Sequence, residues 1–437
     1  MSKGSMAPRG LTLVASLICA AALPAGASAT TLWVSNKTPS APFTNCEHPG
    51  YSHIQEAVRG PGTAIHVCAG TYEEQVQIER SVAITGYGAP TLKLPATTAD
   101  ATSACDKANE ELVPKKPDQD AISICGGKVA IKNLNVDAIW PGEPVGPSIS
   151  CAYNLTGILV AGGANLTLSG ATVTGAAPQH VNGCQYGVGV LVGVPESGSI
   201  GEASATLSDD TIAGYDKNGI AVAGAGVQAK ISKVTVTGAG PTEALAQNGI
   251  GIQEGARATV ADATISGNVC TEAGACGPDE LDQAAGAGLY FFDAAAGSSV
   301  KTSTIAENGV GVEAFDAPST DPVISGDKIE DSDVSAVEVG EGAASVDNDT
   351  LASSEVGIEV LQYAGQRAAA GGTASHDTIT GMSKWAVLGR SDKGEGDLFT
   401  EFAITASKIS GNPGHRPLES VESENPATLK IFAEKDT

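Results

Sequence analysis

The stretch GILVAGGANLTLSGATV, residues 157–173, contains three short apolar segments separated by turns. Within the segments, apolar side chains alternate with polar or small residues, which is the period of a β-strand with one buried face. The stretch GIGIQEGARATVADATI, residues 249–265, repeats the arrangement with apolar residues at matching offsets. Two copies of three consecutive short strands indicate a repeat in which each coil of the chain contributes three strands.

A second marker of the repeat is a pair of apolar residues five positions apart, with a polar turn between them. The shortest separations between successive pairs are about 22 to 24 residues, which fits three strands and three corners per coil. The copies predict an all-β fold, a right-handed parallel β-helix of about ten or more coils, with the hand taken from the crossover rule. The pairs are Ile131/Val136, Leu168/Val173, Leu207/Ile212, Ile231/Val236, Val260/Ile265, Val300/Ile305, Ile324/Ile329, Val346/Leu351, Ile404/Ile409 and the weaker Ala374/Ile379.

The ends of the chain lie outside the repeat. Residues 1–29 combine two early basic residues, an apolar run from Leu11 to Leu23 and a small-residue triplet, which predicts a signal peptide cleaved before Thr30. Residues 30–60 are expected to cap the first coil, with a short amphipathic helix between Tyr51 and Arg59. The β-helix is predicted over residues 61–412, and residues 413–437 form a C-terminal cap or tail. The mature protein is therefore expected to be secreted, either free or associated with the cell surface.

The cysteine count supports an oxidising compartment. Nine cysteines become eight once Cys19 leaves with the signal peptide, an even number that suits disulfide bonds. Spacing alone leaves the connectivity open, because eight cysteines allow 105 pairings. The candidate disulfide cysteines, given as sequence neighbours, are Cys46 and Cys68, Cys105 and Cys125, Cys151 and Cys184, and Cys270 and Cys276.

The charge of the chain restricts its partners. The full sequence carries a formal net charge of −25. Removing Lys3 and Arg9 with the signal peptide takes this to 23 − 50 = −27. Such a field repels nucleic acid and anionic lipid, so we expect no nucleic-acid partner, and no later apolar run predicts membrane insertion. An acidic polysaccharide would need a bridging cation such as calcium. The oligomeric state is left open.

Three segments near the start of the mature chain carry a family resemblance. They are Ile54-Gln55-Glu56-Ala57-Val58, Gly70-Thr71-Tyr72-Glu73-Glu74 and Val82-Ala83-Ile84-Thr85-Gly86. They resemble the opening of the pectate-lyase-like right-handed β-helix superfamily, and the later coils look like its generic repeat. The resemblance implies a right-handed β-helix fold. It also implies that the protein acts on or binds polysaccharides, since members include lyases, hydrolases, esterases, epimerases and surface proteins. The full motif sets of pectin methylesterases and polygalacturonases are absent, since Leu388-Gly389-Arg390 and Asp209-Asp210 each match only one part of them.

In that superfamily, the strand represented here by Gly-Ile-x-Val usually forms the floor of the substrate cleft. Outward positions on this strand, taken coil by coil, give six candidate residues. Four are expected to bind substrate, namely Gln253, Tyr290, Phe292 and Glu313, and the remaining two are Glu338 and Glu359. Glu338 and Glu359 occupy matching positions in adjacent coils, which places them about 4.8 Å apart.

Three interpretations of Glu338 and Glu359 remain open. Carboxyl groups about 5 Å apart suit the acid/base and nucleophile of a retaining glycosidase. Glu313, together with the loop acids Asp279, Glu280 and Asp282, forms an alternative calcium site. The third interpretation is that the glutamates are solvated surface charges. The basic residues Arg257, Lys301, Arg367 and Arg390 have no clear position on the cleft strand, which weakens a lyase mechanism that needs a base.

The leading functional interpretation is a secreted β-helix protein that binds extracellular polysaccharide or serves a surface role without catalysis. The alternative is a polysaccharide-degrading enzyme, a glycoside hydrolase or calcium-dependent lyase, that works in the groove around Tyr290, Glu338 and Glu359.

Overall fold

Three parallel sheets run side by side along the length of the molecule, and each coil of the chain adds one strand to each sheet. The computed structural model describes residues 30–97, 105, 118–140, 154–178, 181, 183, 186–194, 200–271, 285–315, 321–362, 370–391, 400–411, 418–422 and 429–433. The predicted signal peptide lies outside these residues.

The described elements are one short helix and 38 strands. In chain order they are β1 (Thr31–Val34), α1 (Ile54–Arg59), β2 (Ala64–Cys68), β3 (Thr71–Glu73), β4 (Val76–Ile78), β5 (Val82–Tyr87), β6 (Thr91–Lys93), β7 (Asp118–Ile124), β8 (Lys128–Lys132), β9 (Asn135–Trp140), β10 (Asn154–Val160), β11 (Ala164–Ser169), β12 (Thr172–Pro178), β13 (Val188–Val192), β14 (Ala203–Ser208), β15 (Thr211–Ala213), β16 (Asn218–Ala223), β17 (Gln228–Ser232), β18 (Thr235–Thr242), β19 (Asn248–Gln253), β20 (Arg257–Ala261), β21 (Thr264–Cys270), β22 (Ala287–Phe292), β23 (Ser299–Lys301), β24 (Thr304–Ala306), β25 (Val310–Phe315), β26 (Val323–Ser325), β27 (Lys328–Glu330), β28 (Ser335–Gly340), β29 (Gly342–Asp347), β30 (Thr350–Ala352), β31 (Val356–Gln362), β32 (Ala370–Ser375), β33 (Thr378–Thr380), β34 (Trp385–Ser391), β35 (Thr400–Thr405), β36 (Lys408–Ser410), β37 (Leu418–Glu422) and β38 (Leu429–Ala433).

The strand order within each sheet shows a single rising coil. Sheet A runs β1, β2, β5, β8 and then every third strand to β35 and β38. Sheet B runs from β3 to β36 and sheet C from β4 to β37, again with one strand per coil. Every pairing given for these strands is parallel. The predicted parallel β-helix is confirmed, and its sheets continue through β37 and β38 beyond the predicted boundary at residue 412.

The interior is a stack of aliphatic side chains aligned from coil to coil. On sheet C, Ile158 lies opposite Val190, which lies in the same row as Ile220 and Ile250. All four side chains are fully buried. The alternation read from the sequence therefore identifies the inward face correctly.

The corner between sheets A and B is short in every coil, as the five-residue spacing of the apolar pairs predicts. Its first residue adopts a left-handed conformation, which costs energy for residues with a side chain. Corners of the same backbone shape stack on one another, and this stacking holds the conformation even where the residue is not glycine. The corner residues are Asn133, Gly170, Asp209, Lys233, Asp262, Thr302, Gly326, Asn348, His376 and Ala406.

The second residue of the same corner is buried, and in the later coils it forms an interior polar ladder. We call Asp327, Asp349 and Asp377 the aspartate ladder; each is at most 2% exposed. Oδ1 of Asp349 accepts a hydrogen bond of 2.6 Å from the backbone N–H of Asp327. In the same way, Oδ1 of Asp377 accepts a hydrogen bond of 2.8 Å from the backbone N–H of Asp349. Ser303 and Ser407 continue this position at the two ends of the ladder.

Helix α1 closes the N-terminal end of the helix interior, as predicted, although it begins at Ile54. Its Ile54, Ala57 and Val58 side chains are buried against the first coil. Both carboxylate oxygens of Glu74 accept hydrogen bonds from α1, at 2.7 Å from the N–H of Ile54 and 2.9 Å from that of Gln55. Glu74 therefore caps the helix from the neighbouring coil, since the first N–H groups of a helix have no partner within it.

We expect Glu74→Ala to lower the free energy of unfolding by about 1–2 kcal/mol, the usual effect of losing a helix cap. The backbone amides of α1 should also exchange hydrogen faster, since their acceptor is lost. Glu73→Ala is the matched control, because Glu73 is the exposed last residue of β3 and directly precedes Glu74. Urea unfolding and hydrogen exchange measure the two effects. Equal stability of the two variants would contradict the capping role.

Two disulfides lie in the N-terminal coils. Cys46 is bonded to Cys68 and Cys105 to Cys125, so two of the four neighbour pairs are confirmed. Cys270 is disulfide-bonded, whereas Cys151, Cys184 and Cys276 lie outside the described residues. None of the helices in the described part of the chain is long and apolar enough to cross a membrane.

Candidate functional site

The outward face of sheet C changes character along the molecule. On β10, β13 and β16 the outward side chains Leu159, Leu191 and Ala221 are apolar and are packed in one cluster with Cys105. From β19 onward the face carries polar, aromatic and acidic side chains. The candidate site therefore lies in the second half of the molecule.

The six residues predicted for the cleft do lie on one face. Tyr290 is opposite Glu313, which is opposite Glu338, which is opposite Glu359, on strands β22, β25, β28 and β31. We call Glu313, Glu338 and Glu359 the glutamate ladder. Gln253 and Phe292 are opposite each other, two residues further along β19 and β22 than the pair Gly251 and Tyr290. The loop acids Asp279, Glu280 and Asp282 lie outside the described residues.

Phe315 extends the second row and was missed by the sequence analysis. It lies opposite Phe292 on β25. The two rings are parallel within 5°, with centroids 6.2 Å apart, and Phe292 is 39% exposed. The signal was present, because Phe315 follows Glu313 at the same offset at which Phe292 follows Tyr290.

Two glycines leave space for the aromatic rings. A Cβ atom on Gly251 would lie 2.5 Å from Cε1 and Oη of Tyr290, and one on Gly340 would lie 2.7 Å from Cδ2 of Phe315. The Tyr290 ring thus leans back over the preceding coil, where its hydroxyl donates a hydrogen bond to Oε1 of Gln253. The Phe315 ring leans forward over the following coil. We call Gln253, Tyr290, Phe292 and Phe315 the aromatic platform.

Burial shapes the electrostatics of this face. Burial raises the pKa of Tyr290, and the charges of Glu313 and Glu254 raise it further, so the hydroxyl is a hydrogen-bond donor at neutral pH. Burial also raises the pKa of Glu313, while the Lys217 ammonium lowers it.

Lys217 is the basic group that the sequence analysis missed. It precedes β16, and its Nζ donates a hydrogen bond of 2.7 Å to the Ala246 carbonyl oxygen. Burial lowers the pKa of Lys217, whereas the charges of Glu313 and Asp216 raise it. Its position at a corner explains the omission, since strand alternation fixes no direction for corner side chains.

The basic residues considered in the sequence analysis do not lie together in the structure. Arg257 and Lys301 lie on sheet A, and Arg257 donates to Gln228 at 2.9 Å. Arg390 lies on β34, opposite Leu361 of β31, so its backbone is part of sheet C. Arg367 lies outside the described residues.

Access differs between the two glutamates of the predicted catalytic pair. Glu338 is half-buried, whereas Glu359 is only 1% exposed. A retaining glycosidase needs both carboxyl groups at the sugar, and in this structure Glu359 is covered. Among the described residues, no group of three or more His, Cys, Asp or Glu side chains is arranged to hold a metal ion.

One family model matches the central part of the chain. Residues 198–371 match the family model described as a right handed beta helix region, and the three sheets continue on both sides of this region. This chain is a right-handed parallel β-helix protein. A search of curated proteins finds no match to it.

Several solved structures are similar to this β-helix protein. The periplasmic alginate epimerase AlgG matches at 11% identity over 88% of this chain and 84% of its own, with a TM-score of 0.48. The GH136 lacto-N-biosidase from Eubacterium ramulus matches at 11% identity over 92% and 68%, with a TM-score of 0.46. The pectate lyase Pel9A matches at 11% identity over 92% and 82%, with a TM-score of 0.38. Similarity at this level does not assign a ligand or a reaction.

Proposed function

We propose that this protein binds an extracellular polysaccharide along the outward face of sheet C, at the aromatic platform. The observation that carries the proposal is the parallel pair Phe292 and Phe315 beside the hydrogen-bonded pair Tyr290 and Gln253. Sugar rings present apolar C–H faces together with hydroxyl groups. An aromatic surface next to an amide and a phenol matches both kinds of group.

The direction of the platform supports a polymer over a compact ligand. Its residues come from β19, β22 and β25, three successive coils about 4.8 Å apart along the axis of the molecule. An extended chain that follows the axis meets each of these coils in turn. The family resemblance in the sequence also implies a concern with polysaccharides.

The platform is fixed before any ligand binds. The Tyr290 ring is held by Gln253 and by the space over Gly251, and Phe315 occupies the space over Gly340. Rings that are already ordered lose little conformational freedom on binding, which favours affinity.

The test is native electrophoresis of the mature protein through gels that contain a polysaccharide. The panel is hydroxyethyl cellulose, xylan, galactomannan, dextran, polygalacturonate and alginate. We expect at least one polymer to retard the protein, and we expect Phe292→Ala and Phe315→Ala each to weaken that binding about tenfold, near the upper end for an aromatic contact.

Phe43→Ala is the matched control, because Phe43 is 51% exposed in the N-terminal cap and lies on a different part of the molecule. It should bind as the wild type does. Absence of retardation by every polymer, or equal binding by the Phe292→Ala variant, would rule out the platform as the binding surface.

A second candidate function is cleavage of the bound polysaccharide: Glu338 and Glu359 are neighbours in register, and cleavage by this pair would require Glu359 to be uncovered when the polymer binds. The same polymers, incubated with the protein with calcium and with chelator, would be scored for reducing ends and for absorbance of unsaturated products. Product formation that is lost in Glu338→Gln and Glu359→Gln would establish an enzyme. Absorbance would separate a lyase from a hydrolase.

A further inference from the structure

We infer that the outward face of sheet C from β19 to β31, which we call the sheet C groove, selects uncharged polysaccharides and excludes uronate polymers; this rests on the proposed function and specifies its ligand class. The structural basis is that the aromatic platform and the glutamate ladder share one face. Tyr290 belongs to the platform and lies directly opposite Glu313, the first member of the ladder. A chain that follows the platform along the axis therefore continues over Glu338.

The ladder makes this part of the groove acidic. Its three glutamates are Cα partners on β25, β28 and β31, and strand spacing separates neighbours by about 4.8 Å. Glu359 is covered and Glu338 is half-buried, so Glu338 is the like charge that a carboxylate on the ligand would meet at short range.

The lysines at this face are already engaged. Lys217 donates to the carbonyl oxygen of Ala246 and interacts with the charges of Glu313 and Asp216. Lys384, before β34, lies 2.6 Å from a carboxylate oxygen of Glu355. Neither is placed as an open counter-charge for a uronate carboxylate.

Aromatic contacts and hydroxyl recognition do not require charge on the ligand. Phe292 and Phe315 offer apolar surface, and the Gln253 amide and Tyr290 hydroxyl recognise sugar hydroxyl groups. The same groove therefore attracts a neutral polymer while the ladder repels an acidic one. The net charge of the protein acts in the same direction but is not confined to the groove.

The experiment compares three forms of the neutral polymer that retards the protein most in the panel described above. They are the parent polymer, a hydroxyethyl derivative and a carboxymethyl derivative of equal substitution. We expect the parent and hydroxyethyl forms to bind alike, and the carboxymethyl form to bind at least tenfold more weakly at low salt. In 1 M salt, where the Debye length is about 3 Å, the difference should largely disappear.

Glu338→Gln should raise the ratio of carboxymethyl to parent affinity about threefold, as expected for one screened like charge at close range. Glu56→Gln removes the same charge from the exposed surface of α1 and should leave the ratio unchanged. Equal shifts in the two variants would assign the effect to net charge and overturn selection by the groove.

The outcomes separate the two proposals. If polygalacturonate or alginate binds as tightly as the neutral polymers through Phe292, the charge selection is wrong and the binding function stands. If no polymer in the panel binds, the proposed function fails and the selection fails with it. If the hydroxyethyl form is excluded as strongly as the carboxymethyl form, the discrimination is steric and the inference is overturned.

Discussion

At pH 9 we expect this protein to unfold at a lower temperature than at pH 5, and we expect Asp349→Ser to remove much of that difference. Asp349 is 2% exposed in the middle of the aspartate ladder. Burial raises the pKa of Asp349 from 3.8 to about 8, and the neighbouring charges of Asp327 and Asp377 contribute to the increase. Burial likewise raises the pKa of Asp327 and of Asp377 to about 6.

The sign of the pH effect follows from proton linkage. A carboxyl group whose pKa is higher in the folded state binds its proton more tightly there than in the unfolded chain. Its contribution to stability is complete below the unfolded pKa, near 4, and is lost as the pH rises through the folded pKa. The loss from Asp327 and Asp377 should therefore fall between about pH 4 and 6, and that from Asp349 should extend to about pH 8.

The expected size is a few kcal/mol for the ladder, since each factor of ten in proton affinity corresponds to about 1.4 kcal/mol. This should appear as a fall of the unfolding midpoint on the order of 5 °C between pH 5 and pH 9. Thermal unfolding followed at one-unit pH intervals measures it.

Serine is the informative replacement because the protein already uses it at this position. Oγ of Ser407 accepts a hydrogen bond of 3.2 Å from the N–H of Asp377 and donates one of 3.1 Å to the Thr405 carbonyl oxygen. Asp349→Ser can make the same contacts without a buried charge. Asp321→Ser, which removes an exposed carboxylate, is the control. Parallel pH profiles for wild type and Asp349→Ser would contradict the prediction.

The sequence shows where the residues of the aspartate ladder lie in each coil, but not that their side chains point inward. The aspartates recur at the same offset between paired apolar residues, as in Ile324 to Ile329 and Val346 to Leu351. A polar residue in a two-residue turn is normally exposed, so alternation assigns these side chains to solvent. They point inward because each carboxylate satisfies backbone N–H groups of its own and the preceding coil, which compensates part of the cost of burial.

The candidate site was predictable to a similar extent. Period-two alternation identified Glu338 and Glu359 as outward neighbours, and in the structure they are Cα partners on adjacent strands. It could not identify the burial of Glu359, because the cover over an outward side chain depends on what lies above the sheet. It also could not identify Lys217, whose corner position leaves its direction to tertiary packing.

The aromatic rings lean over adjacent coils because glycines about 20 to 40 residues away in the sequence leave space for them. Tyr290 needs Gly251 in the preceding coil, and Phe315 needs Gly340 in the following one. No local pattern within either strand encodes this dependence. It becomes visible only when coils are stacked in register.

We therefore expect Gly340→Ala to weaken polysaccharide binding about as strongly as Phe315→Ala, although residue 340 itself offers no group to a ligand. The new methyl group would lie 2.7 Å from Cδ2 and 2.8 Å from Cε2 of Phe315, which is too close, so the ring must leave its position beside Phe292. Few other atoms oppose the methyl group, the next being the Leu361 carbonyl oxygen at 3.8 Å. The fold should accordingly tolerate the change at a cost below about 2 kcal/mol.

A double-mutant cycle separates this mechanism from general destabilisation. If Gly340 acts only by giving space to Phe315, then adding Gly340→Ala to Phe315→Ala should have little further effect on binding, because the ring that clashes is already gone. If the two losses add instead, Gly340→Ala must disturb the groove by another route, and the seating of Phe315 over Gly340 would not be what positions the platform. Gel retardation of the four proteins by the same polymer supplies the cycle. Their unfolding midpoints show whether each remains folded while binding is compared.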